Sequence, residues 1–506
     1  MRRSYYLGGL LVACYSSPTY PLSLMAALYL DANGTTPCSA SALEAALPYF
    51  TACFGNPSTA YGADAAAALA RARAQLCSLL STSESAVQVI FEGCATESIN
   101  HVIKGLCMSR VGAARGGGHI VAGGTEHPAV AEALKFCEAH YGVRVTRVAP
   151  CPRTGGVPAA AVAAALCPGE TFLVTCMLAN NETGAITDLS AVSRAVRAGA
   201  PGAFLHTDAS QAVGKVPIDF GALGVDALTL AGHKFHAPKG IGATVVARAA
   251  AGALTPLLHG GGQEGGARAG TENVPLAVAL GEAAAAAQAW LGGGGGEHLA
   301  TLRGTLARRL LELCTAKGAP PPVFTLPSLA PPQALPAVGG HHHPSHWQDS
   351  SSSCCLPNTL SLAWPGLSST GLKATLLARG LVVAAGAACH SSSSSSSAAG
   401  GSAVLSAMGI PHAQAAGTLR LSLLRSATAE EVEGAAQLIA SAVGEAWAQR
   451  AQGAVSSCTP ATAAGGGGGS AAARARPAVS CQDPRGLDVS SGCGVLGPLL
   501  RGKGKD

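Results

Sequence analysis

At 506 residues the chain exceeds the roughly 250–300 residues over which one hydrophobic core keeps growing, so more than one packed unit plus unstructured extras is expected. Hydrophobic residues make up 48% and charged residues 12%, but aromatics supply only 4%, so the apolar character comes from small side chains. No run approaches the ~20 large apolar residues of a membrane span, and the net charge of +5 is spread along the chain, so neither membrane nor nucleic acid is indicated as a partner.

The first 24 residues carry Arg2, Arg3, an apolar run from Leu7 to Cys14 and no acidic residue. They read either as a targeting segment that would address the protein to an organelle, or as sequence ahead of a true start at Met25, which would leave the product in the cytosol. The 17 cysteines lie at irregular spacings. Those in apolar stretches, such as Cys53, Cys77, Cys137 and Cys176, read as buried free thiols rather than a disulfide framework.

From residue 25 to 290, short β-like runs (Ala86 to Phe91, His119 to Ala122, Phe172 to Met177, Ala203 to His206, Ala227 to Leu230) alternate with alanine-rich helical stretches. This predicts an α/β domain with a mostly parallel sheet covered on both faces and its chemistry at the strands' carboxyl ends. Gly292 to Gly296 reads as a hinge, and Leu299 to Leu313 as a helix opening a smaller domain over 291–450. Within that domain, Pro, His and Ser tracts mark 319–355 as a low-complexity insertion, and residues 451–506 read as a disordered tail.

The chemistry starts at Lys234, in Leu230-Ala-Gly-His-Lys-Phe-His-Ala-Pro-Lys-Gly-Ile-Gly242. A lysine behind an apolar run and inside a Gly/Pro-rich loop can form a Schiff base with an aldehyde cofactor. Alone it is more often a solvated cation. One crossover earlier, Asp208 ends a β-like run, where a buried carboxylate can pair with a protonated pyridine nitrogen. Phe91-Glu-Gly-Cys-Ala-Thr-Glu-Ser98 ends a strand and starts a helix, so backbone N–H groups near Ala95 and the Thr96 hydroxyl can face an anion. His127, in Thr125-Glu-His-Pro-Ala-Val130, offers a flat ring to lie over a pyridine face.

With these residues the chain resembles the cysteine desulfurases and selenocysteine lyases of the class V aminotransferase group. The likeness extends to Tyr29-Leu-Asp-Ala-Asn-Gly-Thr-Thr-Pro37, Gly55-Asn-Pro-Ser58, Met177-Leu-Ala-Asn-Asn-Glu-Thr-Gly184, Gly260-Gly-Gly-Gln-Glu264 with Arg268-Ala-Gly-Thr271, and Gly386-Ala-Ala-Cys-His-Ser391. It implies the aspartate aminotransferase fold (fold type I), with a large mostly parallel-sheet cofactor domain and a smaller α+β C-terminal domain, and pyridoxal 5'-phosphate as cofactor. It further implies Lys234 as Schiff-base lysine, Asp208 as pyridinium partner and His127 as stacking ring and proton shuttle. Asn181 and Gln211 would touch the phenolic oxygen, and Ala95, Thr96 and His233 would hold the phosphate. Thr271 would come from the neighbouring subunit of a homodimer. Arg420 would clamp the substrate α-carboxylate through its bidentate fork, with Asn33 beside the same substrate. Cys389 would take sulfur or selenium as a persulfide or selenopersulfide while cysteine or selenocysteine becomes alanine, and an acceptor protein would then receive the chalcogen.

Four departures from the family pattern stand out: Gly93-Cys94 in place of Ser-Gly, Ala231 in place of a phosphate-binding serine, Gly34 in place of alanine, and Gly265 in place of a frequent arginine. Two rival readings follow, a class V transaminase that does not use Cys389 and a non-catalytic scaffold. His341 to His343, His346, Cys354 and Cys355 have metal-ligand residue types, but their repetitive surroundings argue against a metal site.

Overall fold

The computed structural model describes residues 28–114, 117–330, 354–386 and 402–456, and the described residues up to Ala454 form one compact unit. The described chain opens with a short strand, β1 (Leu28–Tyr29). Seven strands then build the main sheet: β2 (Val87–Glu92), β3 (His119–Gly123), β4 (Arg144–Val148), β5 (Thr171–Thr175), β6 (Phe204–Asp208), β7 (Ala227–Ala231) and β8 (Gly242–Ala247), in the order β2-β8-β7-β6-β5-β3-β4. Only β8 runs against its neighbours, so β2, β3, β5, β6 and β7 all end along one edge. Every residue of β3, β5, β6 and β7 is buried, as expected of parallel strands covered on both faces.

The apolar runs forecast all five of these strands to within two residues at either end. The one shortened run is informative: β5 stops at Thr175 because Met177 N leaves the sheet ladder to donate to Glu126 Oε1 at 2.7 Å. Among the thiols named from the sequence, Cys77, Cys137 and Cys176 are buried, whereas Cys53 is partly exposed, because it follows the short surface helix Pro48–Thr51.

The helix Val274–Gly292 packs against the helices Ala63–Leu79 and Ala40–Ala46. By length and apolarity it would suffice to cross a membrane, which the sequence reading missed because its apolarity comes from alanines rather than large side chains. Its burial of Val274, Ala277, Ala279, Leu280, Ala283, Ala284 and Ala287 makes it a helix of the protein core.

A second lobe follows. Gly293 and Gly294 form the junction, with Gly294 at φ +82° in the left-handed region open to glycine, and the next helix already starts at Gly295 and runs to Ala316. Beyond it lie β9 (Val323–Phe324), β10 (Thr359–Ala363), β11 (Leu381–Val382), β12 (Ala384–Ala385) and β13 (Thr418–Ser422). The strands β12-β13-β10-β9 form an antiparallel sheet. Its core joins Leu306, Leu310, Leu362, Trp364, Leu421 and Ile439.

Two limits drawn from the sequence change here. Residues 319–330, read as the start of the insertion, are part of the fold: β9 pairs with β10, and Phe324, Leu326 and Leu329 are buried. Three apolar side chains among the prolines outweigh the composition of the stretch. The last described helix reaches Ser456, a turn into the segment read as tail.

A tight crossing holds the first lobe's helices together. A Cβ at Gly281 would stand 2.7 Å from Ala72 Cα and 2.4 Å from Gln75 Oε1. Gly281→Val forces these helices apart and is expected to cost about 1–3 kcal/mol of stability, read as a lowered urea midpoint. An unchanged midpoint would refute the close approach.

Candidate active site

The strand ends place the chemistry. β7 ends at Ala231 and the chain turns through a single 3-10 turn, Gly232–Lys234, which sets the Lys234 amine against the N-terminal segment. Lys234 Nζ donates to Asn33 O and Gly34 O, both at 2.8 Å. Just beyond, His236 sits at φ +74°, a costly conformation for a side-chain-bearing residue. It is held there by its N–H donating to Thr36 Oγ1 at 2.8 Å and by its Nδ1 lying 3.0 Å from Pro37 O.

Asp208 closes the neighbouring strand β6 and is buried, its Oδ1 accepting from Ser210 N at 2.9 Å. Two residues earlier, His206 bridges Thr175 Oγ1 (2.9 Å) and Thr229 Oγ1 (3.0 Å), and burial pushes its pKa down to about 4. His127 caps the helix Pro128–Tyr141. Its Nδ1 accepts from Ala129 N at 3.1 Å, which puts the proton of the neutral ring on Nε2. Burial lowers its pKa, the Asp208 charge opposes that and Lys234 adds to it. Beside it, Glu126 is raised well above the carboxylate range by burial, its hydrogen bond from Met177 N opposing and the nearby Asp208 adding to the rise. Its Oε2 has no hydrogen-bond partner.

A turn able to receive an anion lies where β2 meets the helix Ala95–Ala114. Glu92 fastens this helix by accepting from Ser98 Oγ and Thr244 Oγ1 (2.8 Å) and by meeting His101 Nδ1 at 2.7 Å. The first-turn N–H groups and Thr96 are thereby presented at a positive helix end. Position 94 carries an exposed cysteine, and Gly242 packs closely against the backbone of this turn. A Cβ there would stand 2.8 Å from Cys94 C and 2.9 Å from Ala95 N. His233 Nδ1 lies 3.0 Å from Thr35 Oγ1, and burial, helped by Lys234, Lys239 and Lys215, pushes its pKa down to about 4. It is therefore a neutral hydrogen-bonding group at physiological pH. Thr271 lines a cleft of about 200 Å³ with Gly93, Gly240 and Arg268.

On the second lobe's side, Arg420 projects from β13. Its Nη1 donates to Asn181 O at 3.0 Å and its Nη2 meets Asp31 Oδ1 at 2.5 Å, while its buried Nε has no partner. Gly34 serves this pairing, because a Cβ at that position would stand 2.6 Å from Asp31 Oδ2. Asn33 Nδ2 donates to Asn181 O (3.2 Å) and Thr359 Oγ1 (2.8 Å). Gln211 Nε2 donates to Asn33 O at 3.0 Å, which engages one of its two N–H groups.

Sequence reasoning passed over Lys215, Glu126 and Asp31. Lys215 is buried, its Nζ donating to Gln211 Oε1 (2.6 Å) and Asn33 Oδ1 (3.0 Å), and burial among Lys234 and Arg420 pushes its pKa well down. The signals were present: Lys215 stands four residues after Gln211, and Glu126 directly before His127. Cys389 lies outside the described residues, as do His341 to His343 and His346. Among the described residues no group of three or more metal-ligating side chains gathers.

As a seat for a flat phosphorylated ligand the residues fit. The start of the helix Ala95–Ala114 suits an anion, the buried Asp208 closes β6, and Ser210 Oγ is buried without a partner. Fold and site define an enzyme of the class V aminotransferase type, and the family profile described as aminotransferase class-V matches residues 28–316. The protein "Cysteine desulfurase 2" of Trichormus variabilis is 36% identical, the match covering 82% of this chain and 92% of that one. A solved structure described as a NifS-like protein is 30% identical with a TM-score of 0.67, covering 82% of this chain and 98% of its own. Another, SspA in complex with cysteine, is 28% identical with a TM-score of 0.59, covering 78% and 98%. The chain belongs to the cysteine desulfurase family of class V aminotransferases.

Glu182, on the Asn181 loop, accepts a 2.5 Å bond from Ser402 Oγ, yet burial still pushes its pKa up to about 7, the Ser402 bond and Arg420 opposing. Because the folded state holds this proton more tightly, its contribution to stability is complete below the unfolded pKa near 4.5 and is lost as pH rises to about 7. The loss is at most about 3 kcal/mol, less because part of the residue meets solvent. Urea midpoints at pH 5 and pH 8 should differ less in Glu182→Gln than in the parent; an equal difference would clear Glu182 of this role.

Proposed function

We propose that the protein is a pyridoxal 5'-phosphate-dependent cysteine desulfurase that turns L-cysteine and the Cys389 thiol into L-alanine and a Cys389 persulfide, which then passes to an acceptor protein. The observation that carries this reading is the placement of Lys234 and Asp208 at the same edge of the sheet, at the ends of adjacent strands. When bound, the cofactor supplies an electron sink that weakens the Cβ–S bond of the amino acid.

The chain's own residues do the rest. Lys234 would hold the aldehyde carbon, Asp208 the ring nitrogen, and Ala95, Thr96 and His233 the phosphate. His127 would stack on the ring and move a proton at its Nε2. Asn181 and Gln211 are assigned to the phenolic oxygen. Arg420 takes the α-carboxylate, which displaces Asp31 from the guanidinium, and Asn33 stands alongside. The unpartnered Nε of Arg420 supports this role, because a planar fork with a spare donor suits a carboxylate.

The working unit is a homodimer in which Thr271 completes the phosphate cup of the other subunit. Three large apolar side chains lie on the surface of one protomer, Phe50 at 57%, Phe54 at 64% and Tyr61 at 74% exposure. Such exposure is costly unless a partner covers it. Light scattering on the eluting protein should give about twice the 49.8 kDa chain mass; a monomer would overturn the dimer. The compartment is the cytosol, or an organelle if residues 1–24 act as a targeting segment.

The purified protein is expected to be yellow and to bleach with borohydride, and Lys234→Ala to lack the colour. Cys389→Ser should keep the colour but release alanine from L-cysteine only at background. Full activity in Cys389→Ser would sink the mechanism. A rate ratio near one between L-selenocysteine and L-cysteine would show an enzyme without chalcogen preference.

A further inference from the structure

Two thiols outside the catalytic constellation stand together. Cys354 Sγ and Cys355 Sγ are 3.6 Å apart, and Ser328 Oγ lies 3.5 Å from the first and 3.9 Å from the second. Cys355 is buried, whereas Cys354 is partly exposed. On an extended strand successive side chains point to opposite faces, so two neighbouring sulfurs in contact require a backbone already bent toward each other. The half-buried Arg303 guanidinium donates to Leu356 O and acts electrostatically on both sulfurs. The Cys355 and Ser328 hydrogen bonds and Arg303 hold the Cys354 pKa down at about 5 against burial, while the same contact pushes Cys355 up. Cys354 is thus a partly exposed thiol with a second, buried thiol in contact with it, the arrangement found where a reactive and a resolving cysteine cooperate.

The position of the pair gives it reach. Ile186 N donates to Cys354 O at 2.8 Å, Leu356 N donates to Gly184 O at 2.7 Å, and Cys355 forms a β-bridge with Ala185. These bonds hold one side of the 178–187 loop. The same loop carries Asn181, whose carbonyl accepts from Arg420 and Asn33, and Glu182, which accepts from Ser402.

We propose that Cys354 and Cys355 are a redox-active dithiol that a hydroperoxide closes into a vicinal disulfide, loosening the loop that carries Asn181. The Cys354 thiolate attacks the peroxide oxygen, breaking the O–O bond and giving a sulfenic acid and hydroxide. The Cys355 sulfur then attacks the Cys354 sulfur, forming S–S and expelling the sulfenic oxygen, which leaves as water with the thiol proton. Two electrons pass from the two sulfurs to the peroxide. Adjacent Cα atoms are about 3.8 Å apart, closer than the roughly 4.4–6.8 Å usual for a disulfide. The bond is therefore strained and returns readily to the dithiol under thiol reductants, as a switch requires. Closing the ring also twists the peptide that bonds Ile186 and pairs with Ala185, so the hydrogen bonds holding the loop are the first loss.

The test uses full-length, cofactor-loaded protein carrying Cys389→Ala, so that the Cys389 thiol plays no part. After one equivalent of hydrogen peroxide, the peptide containing Cys354 and Cys355 should be lighter by two hydrogens and be restored by dithiothreitol. Amide exchange over residues 184–187 should quicken on the order of tenfold, as expected for the loss of one or two backbone hydrogen bonds. With Cys355→Ser added, the same treatment should leave Cys354 as a sulfenic acid that dimedone captures, with exchange unchanged. Cys354 left unmodified, Cys354 carried to sulfinic acid with Cys355 intact, or a closed disulfide without faster exchange at 184–187 would each overturn the proposal.

Discussion

Everything at this site hangs on Asn33. Its backbone carbonyl accepts from Lys234 Nζ and Gln211 Nε2, and its side-chain oxygen accepts from Lys215 Nζ and Asn358 Nδ2. Its Nδ2 donates to Asn181 O and Thr359 Oγ1, and its N–H donates to Ser422 Oγ. A buried amide is costly unless each polar atom is satisfied, and here satisfaction draws on both lobes. The network can close only when β13 and β10, the Lys234 turn and the Asn181 loop are in place together. The N-terminal segment is therefore structural cement as well as site: β1 pairs with β11, Asp31 bridges Ser422, and Thr36 N donates to His233 O.

The same burial that orders the site strips charge from much of it. His206, His233 and His236 are pushed to about 4, Lys215 is driven well down and Glu126 well up. In a low-dielectric pocket an uncompensated charge is expensive, so the three histidines serve as neutral hydrogen-bonding groups around the Lys234–Asp208 edge. Glu182, on the Asn181 loop, and Cys354, which accepts a hydrogen bond from Ile186 of that loop, are only partly buried, in contrast to the inner network.

The strands were legible because β3, β5, β6 and β7 are buried at every position and are each built around short apolar runs. Lys234 and Asp208 were legible because the rule of strand ends needs only the order of motifs along the chain. Lys215 was not: a lysine in Ala212-Val-Gly-Lys215 looks solvent-facing until Asn33, distant in sequence, supplies its acceptor. Residues 319–330 were misread for a related reason, since proline content signals disorder and only the partner strand β10 shows where Phe324 and Leu326 are buried.

What the sequence by itself determined is the alternating α/β pattern, the family's motifs in order and the family to which they belong. Local residue types and their spacing suffice for these. The tertiary structure alone decided that Asp31 occupies Arg420, that Gly242 packs closely against the Ala95 turn, and that Asn33 ties both lobes to the Lys234 amine. Each of these depends on contacts between residues far apart along the chain, which burial brings within hydrogen-bonding distance and which no local pattern encodes.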